Sequence, residues 1–267
     1  MAAASCPDGE FRAALKGGRF ASRQIYGRTG LIAWGHRRRF KTALALARQA
    51  TGARFCDYGC GDGTFLGILM RSEGRPESAV GIERNAQVVA DCRQRLGSLE
   101  GLEFISVDEI GSDPASSGFD TVFCMEVLEH VLNLEEVFGH LERLVAPSGR
   151  LVVSIPVETG LAVVVKQAAR RLAGLRGIPG YVGHSGYSWK ELYHAVSSGP
   201  GTRIPRIVHG DPADGGFYDH KGFNWMAMRE EIADRFRIER TISSPFSWIP
   251  PWMGSQVWIV ASKREAA

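Results

Sequence analysis

Ala53-Arg54-Phe55-Cys56-Asp57-Tyr58-Gly59-Cys60-Gly61-Asp62-Gly63-Thr64-Phe65-Leu66 decides how this chain folds. Phe55–Tyr58 reads as a buried strand, and the pattern from Thr64 reads as a helix. Between them, Gly59, Gly61 and Gly63 occupy alternate positions, with Asp57 near the strand end. Glycine permits tight turns and close approach of backbone to a ligand. The helix that follows presents N–H groups without intrahelical partners at its start. Strand, turn and helix together form a mouth shaped for an adenine nucleoside.

The same alternation runs outward. Ser78–Ile82 reads as a second strand, ended by Glu83, and Asn85–Leu96 as a helix stopped by Gly97. Glu103–Val107 is a third strand, ended by Asp108, and Asp120–Cys124 a fourth. Leu134–Val145 is a helix that stops around Pro147-Ser148-Gly149, before a fifth strand at Arg150–Ile155. Upstream, Phe40, Leu44, Ala45 and Ala47 place an apolar stripe on a helix over Arg37–Ala50, and residues 1–35 form an arm with one short helix. Downstream, Asn224–Phe236 is a helix, and Arg237–Ser243 and Gln256–Ala261 pair as an antiparallel edge. Short apolar strands alternating with helices specify a mostly parallel sheet covered on both faces. The expected architecture is α/β and Rossmann-like, with a seven-stranded sheet. Its parts are a helical arm over 1–50, a core over 51–158, a lid-like insertion over 159–222, and a return to the core over 223–267.

Ligands of such sheets bind beyond the carboxyl ends of the strands. A carboxylate at Glu83 is placed to accept two hydrogen bonds from ribose hydroxyls, as in nucleoside-binding βαβ units. A dinucleotide is therefore the first ligand to test, and the loop speaks against it. Its glycines spell G-x-G-x-G, whereas a pyrophosphate site has G-x-G-x-x-G. Asp57 and Asp62 also flank the turn with carboxylates, which repel phosphates and attract a cationic, phosphate-free ligand. A nicotinamide oxidoreductase is set aside on that ground.

Asp57-Tyr58-Gly59-Cys60-Gly61-Asp62-Gly63 resembles the first motif of the class I S-adenosylmethionine-dependent methyltransferases. Phe119–Val131 resembles their fourth-strand motif, and Leu144–Leu151 their turn into strand five, so the likeness covers about residues 50–158 in order. The resemblance implies S-adenosyl-L-methionine as cofactor and S-adenosyl-L-homocysteine as product. It places Asp57 and the nearby backbone of Gly59, Cys60, Gly61 and Gly63 at the methionyl part, and Glu83 at the ribose. Asp108, with Glu109 beside it, falls at the adenine, and Cys124, Met125 and Glu126 line the methionine end. Met125-Glu126-Val127-Leu128-Glu129-His130-Val131 is similar to the ubiquinone-biosynthesis type of O-methyltransferase and its small-molecule relatives. That branch implies a hydroxyl on a small, partly apolar acceptor.

Two histidines are candidate bases. His220, in Tyr218-Asp219-His220-Lys221-Gly222-Phe223-Asn224-Trp225, stands at the threshold of a helix where related enzymes present pocket residues. His130 closes the strand-four motif. A histidine near its ordinary pKa can remove a hydroxyl proton during transfer. His184-Ser185-Gly186-Tyr187-Ser188-Trp189, after a glycine-rich turn at Gly177–Gly186, gathers histidine and aromatics in the insertion. No two of the seven histidines are spaced i,i+2 or i,i+4, so no metal is expected.

The whole chain sets further bounds. Its 267 residues can bury a substantial core, and a net charge of +3 is too small to argue for nucleic acid. Basic knots at Arg37-Arg38-Arg39 with Lys41, and at Lys166, Arg170, Arg171 and Arg176, keep an RNA methyltransferase as a rival reading. The first knot reads as a solvated face, or as a contact with an anionic substrate or a membrane. Five cysteines (Cys6, Cys56, Cys60, Cys92, Cys124) are an odd number that fits buried thiols in a reducing compartment. No apolar run approaches the roughly 20 residues that span a bilayer, and no secretory pattern opens the chain. A cytoplasmic protein is expected. On the helix near Leu161–Leu175, Leu161, Val164, Val165, Ala168, Leu172 and Leu175 share one face, and Lys166, Gln167, Arg170 and Arg171 the other. That helix packs its apolar side over the protein or lies on an anionic membrane surface. Other rivals are an N- or C-methyltransferase and an inactive S-adenosylmethionine-binding module. Oligomeric state stays open.

Overall fold

The computed structural model describes residues 8–20, 30–50, 52–111, 118–175, 187–210 and 216–264. The expected turn Gly177–Gly186, His184, Arg176, Cys6 and the last three residues lie outside the described residues. Nine strands are described: β1 (Arg54–Tyr58), β2 (Ser78–Glu83), β3 (Leu102–Ser106), β4 (Phe119–Met125), β5 (Val145–Pro156), β6 (Val208–His209), β7 (Phe217–Tyr218), β8 (Phe236–Ser244) and β9 (Gln256–Lys263). Seven of them form one mostly parallel sheet in the order β3-β2-β1-β4-β5-β9-β8, with an antiparallel edge at β5-β9-β8 and helices on both faces. This is the class I Rossmann-like methyltransferase fold. The described helices are α1 (Asp8–Lys16), α2 (Gly30–Gln49), α3 (Thr64–Met70), α4 (Ala86–Leu96), α5 (Leu134–Leu144), α6 (Leu161–Leu175), α7 (Trp189–Val196) and α8 (Trp225–Arg235).

The described residues divide into two compact units: those of Met1–Met125, Glu135–Val153 and Val260–Ala267, and those of Glu126–Leu134 and Ser154–Ile259. In the first, β1 lies between β2 and β4, with Asp57 opposite both Gly81 and Phe123. Glu83 pairs with Ser106 one strand further out. These registers bring the ends of β1, β2, β3 and β4 to one edge of the sheet. β1 is buried along four of its five residues, as a strand covered on both faces must be. Phe123 packs against Phe55 and, edge-on, against Phe65 of α3. Asp120 Oδ2 accepts the N–H groups of Ala53 and Arg54, tying the start of β1 to β4.

Several bounds differ from expectation. α2 begins well before Arg37, because Gly30 and Gly35 weaken a helical pattern without ending the helix. Its buried positions are Phe40, Ala43, Leu46 and Ala47, whereas Ala45 is exposed. β5 begins directly after α5 with buried Val145, and Pro147-Ser148 form a short exposed stretch near its start. In the arm, α1 supplies the expected short helix.

The second unit has a small core of Val163, Tyr187 and Ala195, with Leu192 and Val196 packed on it. The faces of α6 are the reverse of packing its apolar side on the protein. Buried Glu158 accepts from Lys166 Nζ at 2.9 Å and Arg170 Nη2 at 3.3 Å, and Lys166 also donates to the carbonyls of Val157 and Ser255. A buried carboxylate needs compensating cations, so Glu158 turns these two basic residues inward. Leu161, Val165 and Leu175 then point outward at 61%, 69% and 86% exposure. Within the lid-like insertion, β6 pairs with β7 in a short antiparallel ribbon, His209 opposite Phe217. No helix among the described residues is long and apolar enough to cross a membrane.

Candidate active site

The glycine turn is built within the first unit. Gly59, Gly61 and Gly63 have φ of 75°, 55° and 71°, a region where side chains are strained. The N–H groups of Gly59 and Cys60 donate to Ile82 O, and that of Gly61 donates to Glu83 Oε2 at 3.1 Å. Glu83 Oε1 accepts from the Asn85 N–H, also at 3.1 Å. Each Glu83 oxygen therefore keeps lone-pair capacity for a ribose hydroxyl.

Asp57 and Asp62 part company. Asp57 is buried, and its Oδ1 has no hydrogen-bond partner among the described residues. Burial pushes its carboxyl well above the ordinary range; the charge of Arg39 opposes that rise, and Glu83 adds to it. An orphaned buried acceptor costs free energy that a ligand ammonium would offset. On that observation the cradle fits S-adenosyl-L-methionine, whose methionyl end carries such a group. Asp62 instead serves the turn itself. Its Oδ1 accepts from Thr64 Oγ1 at 2.6 Å and from the Thr64 N–H, and its Oδ2 accepts from the Phe20 N–H at 2.7 Å. Arg39, from the first basic knot, bears electrostatically on Asp57. It comes from α2, and a basic knot is the sole hint of it in the sequence.

The other expected cofactor residues lie along the same sheet edge. Asp108 and Glu109 fall in a 3-10 turn directly after β3. Glu109 accepts from the Ser106 N–H and pairs with Arg93, which leaves Asp108, exposed, as the carboxylate of the two best placed to meet a ligand. Cys124 is buried near the end of β4, and Met125 is its last residue.

Glu126 opens the second unit's part of the chain. It is the one non-glycine residue with positive φ (56°) among the described residues, a strain that surrounding contacts must hold. Its N–H donates to Ser154 O, and its Oε1 accepts from Gln256 Nε2 at 2.6 Å. Just beyond it the structure brings His130 and His220 together, with rings 4.7 Å apart and nearly perpendicular. His130 Nδ1 lies 2.7 Å from Tyr218 O. A carbonyl only accepts, so this nitrogen carries a proton. His130 Nε2 is 3.9 Å from Glu129 Oε1, and His220 Nδ1 is 4.0 Å from the same oxygen. Burial lowers the His220 pKa, with Glu126 opposing and the neighbouring His130 adding to the fall. Burial thus favours the neutral imidazole of His220, the form a base requires.

Glu129 is the residue that sequence reasoning passed over. It is fully buried, and its one signal was its place before His130. The ligating atoms of Glu129, His130 and His220 lie within 4.8 Å of one another, a spacing that could hold a metal ion. Chain spacing could not reveal the group, because ninety residues separate its two histidines.

Known proteins resemble this chain in three ways. The "Uncharacterized 37.1 kDa protein in transposon TN4556" of Streptomyces fradiae is 25% identical over 83% of the chain and 61% of its own length. The "Ubiquinone biosynthesis O-methyltransferase" of Xanthomonas euvesicatoria pv. vesicatoria (strain 85-10) is 34% identical over 46% of the chain and 53% of its own length. The chain thus spans between half and two thirds of these curated relatives. A solved S-adenosylmethionine-dependent methyltransferase of Aquifex aeolicus shares the fold, with a TM-score of 0.50, 11% identity, and coverage of 96% of this chain and 98% of that one. The family model described as "Methyltransferase domain" matches residues 33–193. The chain belongs to that methyltransferase-domain family.

Proposed function

We propose that the protein transfers a methyl group from S-adenosyl-L-methionine to a hydroxyl of a small, partly apolar acceptor. When bound, this cofactor supplies a methyl group already activated by its sulfonium. Asp57 would take the ammonium of its methionyl end, Glu83 the ribose hydroxyls and Asp108 the adenine amino group. Gly59, Cys60, Gly61, Gly63, Cys124, Met125 and Glu126 would line its remaining length. His220 or His130 would receive the acceptor's hydroxyl proton, and buried Glu129 would stabilise the imidazolium that forms.

The observation that carries the hydroxyl reading is the pair of histidines in ring contact around one buried carboxylate, since an amine bound neutral needs no such base. Incubating the purified protein with S-adenosylmethionine and matched phenols, alcohols and amines, and assaying S-adenosylhomocysteine, tests it. Turnover of amines alone would reject it in favour of N-methylation.

A second reading is favoured by the same group. Glu129, His130 and His220 offer the carboxylate and imidazoles that a divalent cation takes. Metal analysis of the purified protein, and turnover before and after chelation, separates a proton-transfer pair from a metal centre. The outward apolar face of α6, with Trp248 exposed elsewhere in the same unit, supports peripheral contact with a lipid surface. Four buried cysteines, none in a disulfide, are in keeping with a reducing compartment such as the cytoplasm.

A further inference from the structure

Arg206 stands outside every motif named so far, in the segment between α7 and β6. Its guanidinium lies over the rings of Tyr218 and Phe223, 4.4 Å and 5.3 Å from their centroids. One nitrogen, Nη2, donates to the Glu129 carbonyl at 2.5 Å and also to the Asp219 carbonyl. Those carbonyls belong to the residues immediately before His130 and His220. Two segments ninety residues apart are therefore spanned by the two hydrogens of one nitrogen. Tyr218, which carries the stacked guanidinium, also holds His130 from both sides: its N–H donates to His130 O at 3.0 Å, and its carbonyl accepts from His130 Nδ1.

We infer that Arg206 is the positioning residue that assembles the His130–His220 pair around Glu129. Burying a guanidinium is costly, and burial lowers its pKa against the pull of Asp219 and Glu129. Desolvation of that kind persists where the charge holds a defined geometry. Arginine suits the task because a planar fork can stack on two rings while it donates sideways. A lysine would keep the charge and lose the stack. The inference rests on the proposed role of the histidine pair, yet its test needs no acceptor.

The experiment compares wild type with Arg206→Lys, Arg206→Gln and Arg206→Ala at one pH, with histidines labelled with nitrogen-15. Two-bond proton–nitrogen spectra report the tautomer of His130, and ring-to-ring contacts report its distance from His220. In wild type the expected spectrum shows His130 protonated at Nδ1 and in contact with the His220 ring. Arg206→Ala is expected to lose both signatures and Arg206→Lys to retain them in part, while S-adenosylhomocysteine affinity stays within about twofold. For any acceptor found to turn over, kcat is expected to fall about 100-fold in Arg206→Ala, the scale of an ångström-sized misplacement. Unchanged tautomer and ring contact in a folded Arg206→Ala or Arg206→Gln overturns the inference. Should Arg206→Ala fail to fold, the Lys and Gln variants carry the same comparison. Loss of the signatures in these variants of a protein that methylates no hydroxyl rejects the proposed function and leaves the positioning role standing.

Discussion

The glycine turn and the histidine group both offer polar atoms to a ligand, but they are assembled over very different lengths of chain. The turn lies within Asp57–Gly63, and its nearest support, Glu83, comes from the adjacent strand in register. The histidine group draws on residues 129–130, 206 and 218–220, joined by hydrogen bonds that span as many as 88 residues. The first is a local solution: alternate glycines take positive φ, and the backbone bonds that hold the turn follow from strand pairing. The second exists only when distant segments are packed. Disturbing the turn should alter what binds, whereas disturbing the histidine group should alter what reacts.

The largest effect is expected on the histidine side. His220→Gln or His130→Gln should lower kcat by about 100- to 10,000-fold, the range of general-base catalysis, with S-adenosylhomocysteine affinity by calorimetry unchanged. Equal loss in affinity would erase the proposed division of labour. On the turn, Asp57→Ala should weaken S-adenosylhomocysteine about 100-fold, the scale of a charge-assisted hydrogen bond. A loss no greater than that of a surface alanine would remove Asp57 from the ammonium.

A pH series sharpens the same contrast. Burial raises the Asp57 carboxyl well above its ordinary value of 3.8, and a cationic ligand needs it ionised. Affinity should therefore tighten as pH rises through the raised value, with a proton released on binding. Asp57→Asn should flatten the curve. For the apo protein the sign is opposite: a raised folded pKa stabilises at low pH, and that contribution is lost as pH rises through it.

A smaller effect separates the two sides of α6. Glu158→Gln leaves Lys166 and Arg170 without their buried counter-charge and should cost about 3 kcal/mol in denaturant unfolding. Val165→Asp, on the outward face, should change stability by less than about 0.5 kcal/mol yet abolish flotation with anionic liposomes. If wild type does not float, the lipid surface is the wrong partner for that face.

The sheet was largely legible because a strand buried on both faces must be short and apolar, and the breaks between such runs carry glycine, proline or a carboxylate. Phe55–Tyr58, Ser78–Ile82 and Asp120–Cys124 are cases in point. The faces of α6 were not legible in the same way. Hydropathy alone turns Leu161 and Val165 inward, and it cannot weigh a single buried carboxylate at Glu158 that claims Lys166 and Arg170. Asp62 misled for a related reason, since nothing local distinguishes a carboxylate that caps its own turn from one that awaits a ligand.

The amino-acid order alone thus determined the strand sequence, the glycine turn and the carboxylates after β2 and β3, because each depends on neighbours within a few residues or on one strand register. Tertiary structure decided the rest. It left Asp57 with an unmet acceptor and bound Asp62 into the turn. It also drew Glu129, His130 and His220 together under Arg206, because burying a charge or an imidazole depends on partners that only packing can bring within reach.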